Sequence, residues 1–400
     1  MIPREAEVVI IGGGIIGSSV AYFLSQAKRK VVLLERGDMA GEASGANGAF
    51  VWTSTRRPGI DLDLALASIE IHKRLGEELD VDTEYRRPGG LLVIENEQDL
   101  PVMERFRKER EDAGFVLTML DSREAREFEP LLSERIAGAL YNPLDGGTNP
   151  FNLVLGLQRK AEQMGARVFH HTEVQGIRLE DNRVRGVITA RGIVRADLVV
   201  NACGAWAPFI GEMVGIKIPI IPSAMEFVVT EQMPPVISHI IMGAAYVTGE
   251  YAKEEMIGHQ GRFGCGLCVH QTVSGNILLG ATWRFVGYDK RTSYEETRAI
   301  AREVVRLFPQ LGSVCAIRSF VNFFPFTSDD LPILGYVEGI DGFVMAAGHC
   351  GHGICLGPIS GKLISELICE GRTSIPIDEL GLWRFSQSGR APSPGRVESL

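Results

Sequence analysis

The first 35 residues constrain this chain most, because they combine a strand, a glycine turn, a helix and a second strand in one unit. The apolar runs Val8–Ile11 and Val31–Leu34 predict two buried strands. Between them lies a Gly-x-Gly-x-x-Gly turn that opens an amphipathic helix, and Glu35 follows the second strand. This order is typical of a dinucleotide-binding βαβ unit, and it is more specific than the glycine motif alone.

The glycines and the acid each contribute differently to dinucleotide binding. Gly12 allows the tight turn, Gly14 lets the backbone approach a pyrophosphate, and Gly17 lets the helix pack closely on the sheet. The pyrophosphate would lie at the helix N-terminus, where unpaired N–H groups and the helix dipole favour an anion. Glu35 can accept hydrogen bonds from ribose hydroxyls and would repel a 2′-phosphate, which disfavours NADP. The alternative is an α/β core whose glycine-rich turn binds no ligand.

Composition excludes several other classes of protein. The chain has 400 residues, 45% of them hydrophobic and 23% charged, which is enough for one or two large cores. Its formal net charge is -9 and it has no Lys/Arg-rich run, so the sequence shows no basic segment of the kind that binds nucleic acid or an anionic membrane. The N-terminal residues lack a signal-peptide pattern, and no apolar segment is long enough to span a bilayer. We therefore expect a cytoplasmic protein.

The remaining pattern predicts an α/β protein, in which a Rossmann-like domain carries an inserted α+β domain built on an antiparallel sheet. Strand patterns with glycine breaks between about 223 and 319 indicate that sheet. The chain then returns to a buried strand and a glycine turn at 342–353, and the residues after 385 predict a mobile tail. Helices are predicted at 62–80, 99–113, 151–164, 294–307 and 354–369.

The seven cysteines do not resemble a disulfide framework, but Cys265 and Cys268 have C-x-x-C spacing. A redox pair or half of a metal site is one interpretation, and His270 is the one metal ligand nearby in sequence. The other is ordinary packing, because the motif lies in a strand-like run and the chain has no second C-x-x-C. We expect no metal.

Four blocks together resemble the FAD-dependent amine and amino-acid oxidoreductases of the D-amino-acid oxidase, glycine oxidase and sarcosine oxidase superfamily. They are the glycine turn with its acid, the small-residue loop at 44–49, the strand and turn at 199–206, and residues 330–335 leading to 348–354. The resemblance implies a Rossmann-like FAD-binding domain from 1–85, 148–222 and 320–385. It also implies a substrate domain from 86–147 and 223–319, and it leaves 386–400 as the mobile tail.

The resemblance also implies which residues hold FAD. The pyrophosphate and adenosine end would contact Gly12, Gly14, Ile15, Ile16, Gly17, Glu35, Arg36, Val174, Ala202, Gly204 and Trp206. The ribityl chain and ring system would lie along Ser44, Gly45, Ala46, Asn47 and Gly48. The pyrimidine edge would face Gly348, Gly351, His352, Gly353 and Ile354. Physical chemistry agrees independently at that edge, because N–H groups opening a helix at Gly353 can stabilise negative charge on a reduced flavin.

The chain departs from the family pattern at the substrate. Phe324 stands where the family usually has an arginine that grips the substrate carboxylate, and Cys268 replaces an active-site aromatic. Family members with covalent flavin use a cysteine just before the same proline, where this chain has Val-Asn-Phe-Phe at 321–324. The resemblance therefore implies non-covalent FAD.

Another cation has to replace the missing arginine if the substrate is a carboxylate. Arg284 or Arg318 is the expected anchor, with the hydroxyl of Tyr251 as a helper. His352 is a candidate for substrate positioning or proton transfer, although it could instead cap the turn together with His349. Each arginine could also be a solvated surface charge. The arginines considered for this role are Arg56, Arg57, Arg262, Arg284 and Arg318.

Within the superfamily, residues 46–52 and 280–289 look most similar to catalytic subunits of heteromeric opine and hydroxyproline dehydrogenases. That similarity implies a small-molecule substrate that is a secondary amine or imino acid, and electrons passed to redox partner subunits in a hetero-oligomer. A catalytically weak FAD-bearing subunit of an assembly remains an alternative. A flavin monooxygenase shares the first motif, but the glycine block at 348–353 fits it poorly.

Overall fold

The computed structural model describes residues 2–248 and 263–387, which form two large sheets with helices packed on them. The strands are β1 (Val8–Ile11), β2 (Val31–Leu34), β3 (Phe50–Val51), β4 (Gly90–Ile94), β5 (Thr118–Asp121), β6 (Gly138–Asn142), β7 (Gly146–Gly147), β8 (Arg167–Phe169), β9 (Val174–Glu180), β10 (Arg183–Thr189), β11 (Gly192–Val194), β12 (Leu198–Asn201), β13 (Ile221–Gln232), β14 (Ile240–Gly243), β15 (Gly264–Gln271), β16 (Asn276–Arg284), β17 (Ala316–Phe326), β18 (Ile333–Tyr336) and β19 (Phe343–Ala347).

The α-helices are α1 (Ile15–Gln26), α2 (Ile60–Leu79), α3 (Leu100–Asp112), α4 (Ser122–Phe128), α5 (Pro150–Gln163), α6 (Ala207–Glu212), α7 (Ala245–Thr248), α8 (Tyr294–Leu307), α9 (Gly353–Glu370) and α10 (Arg384–Gln387). Short 3₁₀ helices lie at Glu97–Asp99, Gly204–Trp206, Pro309–Ser313 and Asp378–Leu380. The five helices predicted from apolar periodicity are confirmed, with ends within two residues of those expected.

The first sheet belongs to the predicted Rossmann-like part of the fold and has the order β18-β19-β12-β1-β2-β8. All of its neighbouring strands are parallel except β18 and β19. β1 and β2 are buried along their whole length, which explains why both are continuous apolar runs rather than alternating ones. One face packs on α1, α5 and α9, and the other packs under β9–β11 and α6.

Glycines bring two of these helices unusually close together. A Cβ atom on Gly361 of α9 would lie 2.8 Å from the backbone nitrogen of Val20 in α1. Because only glycine leaves room for that approach, the N-termini of α1 and α9 reach the same side of the first sheet. The two helix N-termini thus lie next to the carboxyl ends of the parallel strands.

The second sheet has the order β17-β13-β16-β15-β14-β4-β6-β5 and is antiparallel except between β14 and β4. The apolar residues Ile300, Val304 and Leu307 of α8 cover one face. The expected domain boundaries at 222/223 and 319/320 fall inside β13 and β17, so the sheet extends beyond the expected segment at both ends. It extends because both strands continue pairing up to Ile221 and Phe326.

Several sequence features have a plain structural place. Cys265 and Cys268 lie within β15, and the seven cysteines are free thiols. Within 2–248 and 263–387, no group of three His, Cys, Asp or Glu side chains is arranged to hold a metal. No helix of the described chain has both the length and the apolar character required to cross a bilayer.

His72 gives the fold a predictable pH dependence. It is buried in α2, and its Nε2 atom donates to the carbonyl oxygens of Ile354 and Cys355 at 3.1 and 3.2 Å. Burial lowers its pKa from 6.5 to about 4. The folded state therefore favours the neutral ring, and this contribution to stability is present above pH 6.5 and lost as the pH falls towards 4.

We expect the lowered pKa of His72 to reduce the free energy of unfolding by about 1.5 kcal/mol when the pH falls from 6.5 to 5. The measurement is denaturant unfolding across that range for the wild type and for His72→Gln, whose amide can still donate. The variant should lose less stability on acidification than the wild type. An equal pH slope for both proteins would contradict the assignment.

Candidate active site

A cavity of about 650 Å³ lies between the two sheets. On one side it follows the carboxyl ends of β1, β12 and β19 of the first sheet. On the other side it is lined by residues of β13, β15, β16 and β17 of the second sheet. Ligands of open α/β sheets bind outside the carboxyl ends of the parallel strands, so this is the expected place for a site.

One end of the cavity is built around the N-terminus of α1. Gly12 has φ +108°, and a Cβ atom there would lie 2.6 Å from the carbonyl oxygen of Ala202. Gly14 precedes the helix, whose first N–H, on Ile15, donates to Ser44 Oγ at 2.9 Å. With Ile-Ile-Gly-Ser as its first turn, the helix brings no carboxylate of its own to these N–H groups. This end can therefore accept an anionic group from a ligand.

Glu35 and Trp206 border the same end. The two carboxylate oxygens of Glu35 accept from the backbone nitrogens of Gly13 and Gly37, each at 2.7 Å, which holds the side chain at the cavity wall. The guanidinium of Arg36 lies 3.9 Å from the ring centre of Trp206. Within the described residues, the buried indole nitrogen of Trp206 has no hydrogen-bond partner. A flat indole ring and a carboxylate are groups that can contact the base and the ribose hydroxyls of a nucleoside.

The small-residue loop after this end is held by its own side chains. Asn47 donates to the carbonyl oxygens of Ala43 and Ser44, and its Oδ1 accepts from the nitrogen of Ala49 at 2.7 Å. His270 of β15 lies behind the loop, with its Nδ1 atom 3.1 Å from the Gly48 carbonyl oxygen. Burial lowers the pKa of His270 to about 4, so it is a neutral donor to that carbonyl. The second sheet thereby positions the loop.

A buried cluster lies at the far end, where α9 begins. His352 is the residue before α9, and its Nε2 atom contacts the Nη2 atom of Arg56. Arg56 also pairs with Asp61 of α2, with 3.1 Å between Nη1 and Oδ1. Arg57 is exposed at the cavity edge and donates from Nη2 to the carbonyl oxygen of Asp329. Two guanidinium groups thus meet the N-termini of two helices here.

The turn that carries these arginines is held from behind by Asp145. One carboxylate oxygen accepts from the nitrogen and hydroxyl of Thr53 at 2.6 and 2.7 Å, and the other accepts from the Ser54 hydroxyl. Arg110 donates to the Ser54 carbonyl oxygen at 3.1 Å. Burial raises the pKa of Asp145 to about 6 despite these hydrogen bonds. The turn is therefore rigidly placed by buried polar contacts.

The wall formed by the second sheet is apolar and uncharged. The thiol of Cys268 donates to the Tyr246 hydroxyl at 3.2 Å. Burial raises the pKa of Cys268 to about 12 and the pKa of Tyr246 well above its ordinary value, so both are neutral. The other members of this wall are the uncharged polar residue Ser223 and the apolar residues Met225, Phe227, Met242, Ala245, Trp283, Phe285, Phe323, Phe324, Pro325 and Phe326.

Most of the residues expected to hold a cofactor line this one cavity. They are Gly12, Gly14, Ile15, Ile16, Glu35, Arg36, Ser44, Asn47, Gly48, Val174, Ala202, Gly204, Trp206, Gly351, His352, Gly353 and Ile354. The remaining four, Gly17, Gly45, Ala46 and Gly348, are not among the lining residues. Gly17 and Gly45 instead allow close packing, the first against the Gly12 backbone and the second against Phe151.

The expected substrate anchors are placed differently. Arg284 pairs with buried Glu296 at 3.0 Å and donates to the Arg291 carbonyl oxygen, so its charge is held outside the cavity. Arg318 lies exposed on β17, on the half of the strand that is away from the cavity. Tyr251 and Arg262 lie outside the described residues. Of the expected catalytic residues that are described, His352 alone lines the cavity, and the structure does not place Arg284 or Arg318 where a substrate could bind.

The arginines at the substrate end of the cavity are Arg56 and Arg57, and not the expected Arg284 or Arg318. They come after the small-residue loop and β3, and Asp61 lies four residues after Arg57 at the start of α2. An Arg-Arg pair close to an acid at a helix start is the signal that could have identified them. Met225 and Phe227 had no such signal, because their role depends on which face of β13 points inward.

The geometry fits an extended dinucleotide, because the α1 N-terminus, Glu35 and Trp206 all border one continuous cavity.

Comparisons with known proteins agree. The family model described as FAD dependent oxidoreductase matches residues 7–367. The chain is 30% identical to hydrogen cyanide synthase subunit HcnC of Pseudomonas protegens, over 94% of each chain. It is also 30% identical to glycine oxidase of Geobacillus kaustophilus, over 94% of this chain and 97% of that protein.

The fold comparison leads to the same conclusion. The crystal structure of L-proline dehydrogenase from P. horikoshii superposes with a TM-score of 0.85 at 26% identity, covering 96% of this chain and 99% of that one. The chain therefore belongs to the FAD-dependent oxidoreductase family, and the α/β fold with its Rossmann-like FAD-binding half and FAD as cofactor are those of that family.

Proposed function

We propose that this chain oxidises a carbon–nitrogen bond in a small amine that carries a carboxylate, namely a secondary amine or imino acid of opine or hydroxyproline/proline type, or a D-amino acid. Bound FAD would supply N5 as the hydride acceptor. The single observation that carries the proposal is the continuity of the cavity from the α1 N-terminus to the apolar wall around Tyr246 and Cys268. A substrate on that wall would share one enclosed space with the cofactor.

The apolar wall favours an uncharged reacting centre. Neutral Tyr246 and Cys268, with the aromatic ring of Phe324, leave no charge on the wall to stabilise an ammonium group. An amine placed there is favoured in its neutral form, because desolvation lowers the pKa of an ammonium group. Neutral amines are the form from which hydride can leave the adjacent carbon. The wall thus excludes water and selects the protonation state.

The substrate carboxylate requires a cation, because an unpaired buried carboxylate is costly. Among the described residues that line the cavity, the arginines are Arg36, Arg56 and Arg57. Arg36 lies at the nucleotide end against Trp206, and Arg56 is paired with Asp61. Arg57 lies at the cavity edge and commits one donor to a backbone carbonyl. Arg57 is therefore our candidate for the carboxylate anchor in place of the family arginine.

The secondary-amine class and the electron route rest on the similarity to opine and hydroxyproline dehydrogenases and on the L-proline dehydrogenase fold match. Proline is a cyclic secondary amine, and the wall offers it apolar contact. Electrons would then pass to a redox partner subunit or other acceptor in a hetero-oligomer. The expected cytoplasmic location stays a prediction.

The alternative is a catalytically weak FAD-bearing subunit that serves an assembly. Phe324, in place of the family arginine, favours it, because β17 then offers no charge to a substrate. Such a subunit would bind FAD and fail to transfer electrons from any amine.

An anaerobic substrate screen tests the proposal. The purified holoprotein is mixed with opines, L- and D-proline, hydroxyproline, sarcosine and D-amino acids while flavin absorbance is followed. Bleaching by a secondary amine, an imino acid or a D-amino acid supports the proposal, and bleaching by none of them supports the weak subunit. With a bleaching substrate, dye reduction should outpace peroxide formation, whereas rapid peroxide formation would contradict the electron route.

Removing the Arg57 guanidinium should weaken substrate binding. We expect Arg57→Ala to raise KM roughly 10- to 100-fold, since a hydrogen bond to a charged group contributes about 1.5–3 kcal/mol. Flavin content should be unchanged. Arg87→Ala, which removes an exposed arginine outside the cavity lining, is the matched control. An unaltered KM for Arg57→Ala would show that the anchor lies elsewhere.

FAD should be released when the protein is denatured. The segment before Pro325 has no cysteine to attach the flavin, so mild acid should leave the yellow colour in the supernatant. Absorbance of the two fractions measures this directly. Colour retained in the protein precipitate would show a covalent bond.

A further inference from the structure

Arg56 is an unusual charge for a cavity wall. It and Asp61 are each 4% exposed, and its donors face several partners. Nη1 pairs with Asp61 and Nη2 contacts His352, while the buried Nε atom has no hydrogen-bond partner among the described residues. The guanidinium is thus held on two sides, and its Nε–H can still donate a hydrogen bond to an acceptor on a bound molecule.

The Arg56 contact also involves His352. Because an arginine can only donate, a hydrogen bond in this contact uses the lone pair of the His352 Nε2 atom. The guanidinium of Arg56 thus brings a positive charge to the residue that precedes α9.

Helix α9 adds to the same positive potential. His352 directly precedes the helix, and Gly353, Ile354 and Cys355 of its first turn line the cavity. Unpaired N–H groups give a helix N-terminus about half a positive charge. Asp61 opposes this potential, because it lies in the first turn of α2 and pairs with Arg56. Arg56 and Asp61 therefore contribute charges of opposite sign beside α9, where the charged residues Arg57 and Asp330 also line the cavity.

We propose that Arg56 and Asp61 together set the reduction potential of the bound flavin. The inference rests on the proposed function and on the pyrimidine edge of FAD facing the start of α9. Reduced flavin is anionic at that edge, so the Arg56 charge stabilises the reduced form more than the oxidised form. Asp61 holds the guanidinium in place and moderates its charge. The contact with His352 places the Arg56 guanidinium beside the helix end.

Two substitutions should shift the potential in opposite directions. Arg56→Met removes the positive charge, and we expect the equilibrium constant for two-electron reduction to fall roughly tenfold, which is about 30 mV lower. Asp61→Asn keeps an acceptor for Arg56 but removes the negative charge, and the constant should rise by a similar factor. Arg56→Lys should stay close to wild type. Arg74→Met, which removes a charge from the exposed side of α2, should change nothing.

The measurement is the midpoint potential of the holoprotein by equilibration with a reference dye, together with flavin content and the KM of any substrate found. If the Arg56–Asp61 pair had a purely structural role, the midpoint potentials of Arg56→Met and Asp61→Asn would shift in the same direction, and both variants would contain less flavin. If Arg56→Met does not retain flavin, an unchanged potential in Asp61→Asn overturns the inference on its own.

Other outcomes separate this inference from the proposed function. An Arg56→Met protein with normal potential and a strongly raised KM would show that Arg56 binds the substrate, which overturns the inference. A wild-type protein that binds FAD but is reduced by no amine would refute the proposed function. The shifts in potential could still be measured in that protein, because they require bound flavin and no substrate.

Discussion

The N-terminus of α1 is the constraint on which the rest of the site depends. The chain turns sharply at Gly12, and the helix that follows Gly14 has no acidic residue in its own first turn, so its N-terminus faces the cavity without a carboxylate of the helix itself. A helix end of this kind attracts an anion and fixes where a pyrophosphate can lie. Once that point is set, Glu35 borders one side and the small-residue loop borders the other. The opposite end of the cofactor must then extend towards α9.

Charge is distributed along the cavity in a way that matches this direction. Each end combines a helix N-terminus with an arginine and carboxylates, namely α1 with Arg36 and Glu35 and α9 with Arg56 and Asp61, while the wall formed by the second sheet carries no charged side chain. Dinucleotide and flavin would supply negative charge at the two ends. A small amine would meet the neutral wall, where a proton on nitrogen is disfavoured. The second sheet thus contributes both the wall and His270, which contacts the small-residue loop at the Gly48 carbonyl oxygen.

Local sequence was sufficient for the fold class and for FAD as the cofactor, because glycine spacing, buried strands and a following acid act through neighbouring residues. It was not sufficient for the substrate side. Arg284 is the last residue of β16, a strand that does line the cavity, yet its side chain turns to Glu296, a partner twelve residues away on α8. Arg56 reaches His352 across 296 residues of sequence. Such pairings depend on which elements the fold brings together, and no local pattern reports them.

Cofactor binding shows whether the cavity recognises both halves of an extended dinucleotide. Apoprotein can be titrated with FAD, FMN and riboflavin while flavin fluorescence is followed. Because the α1 N-terminus, Glu35 and the Arg36–Trp206 pair contact only the adenosine and pyrophosphate portion in this account, FAD should bind tightly in a single equivalent and FMN much more weakly. Equal affinity for FAD and FMN, or no uptake of FAD, would contradict it.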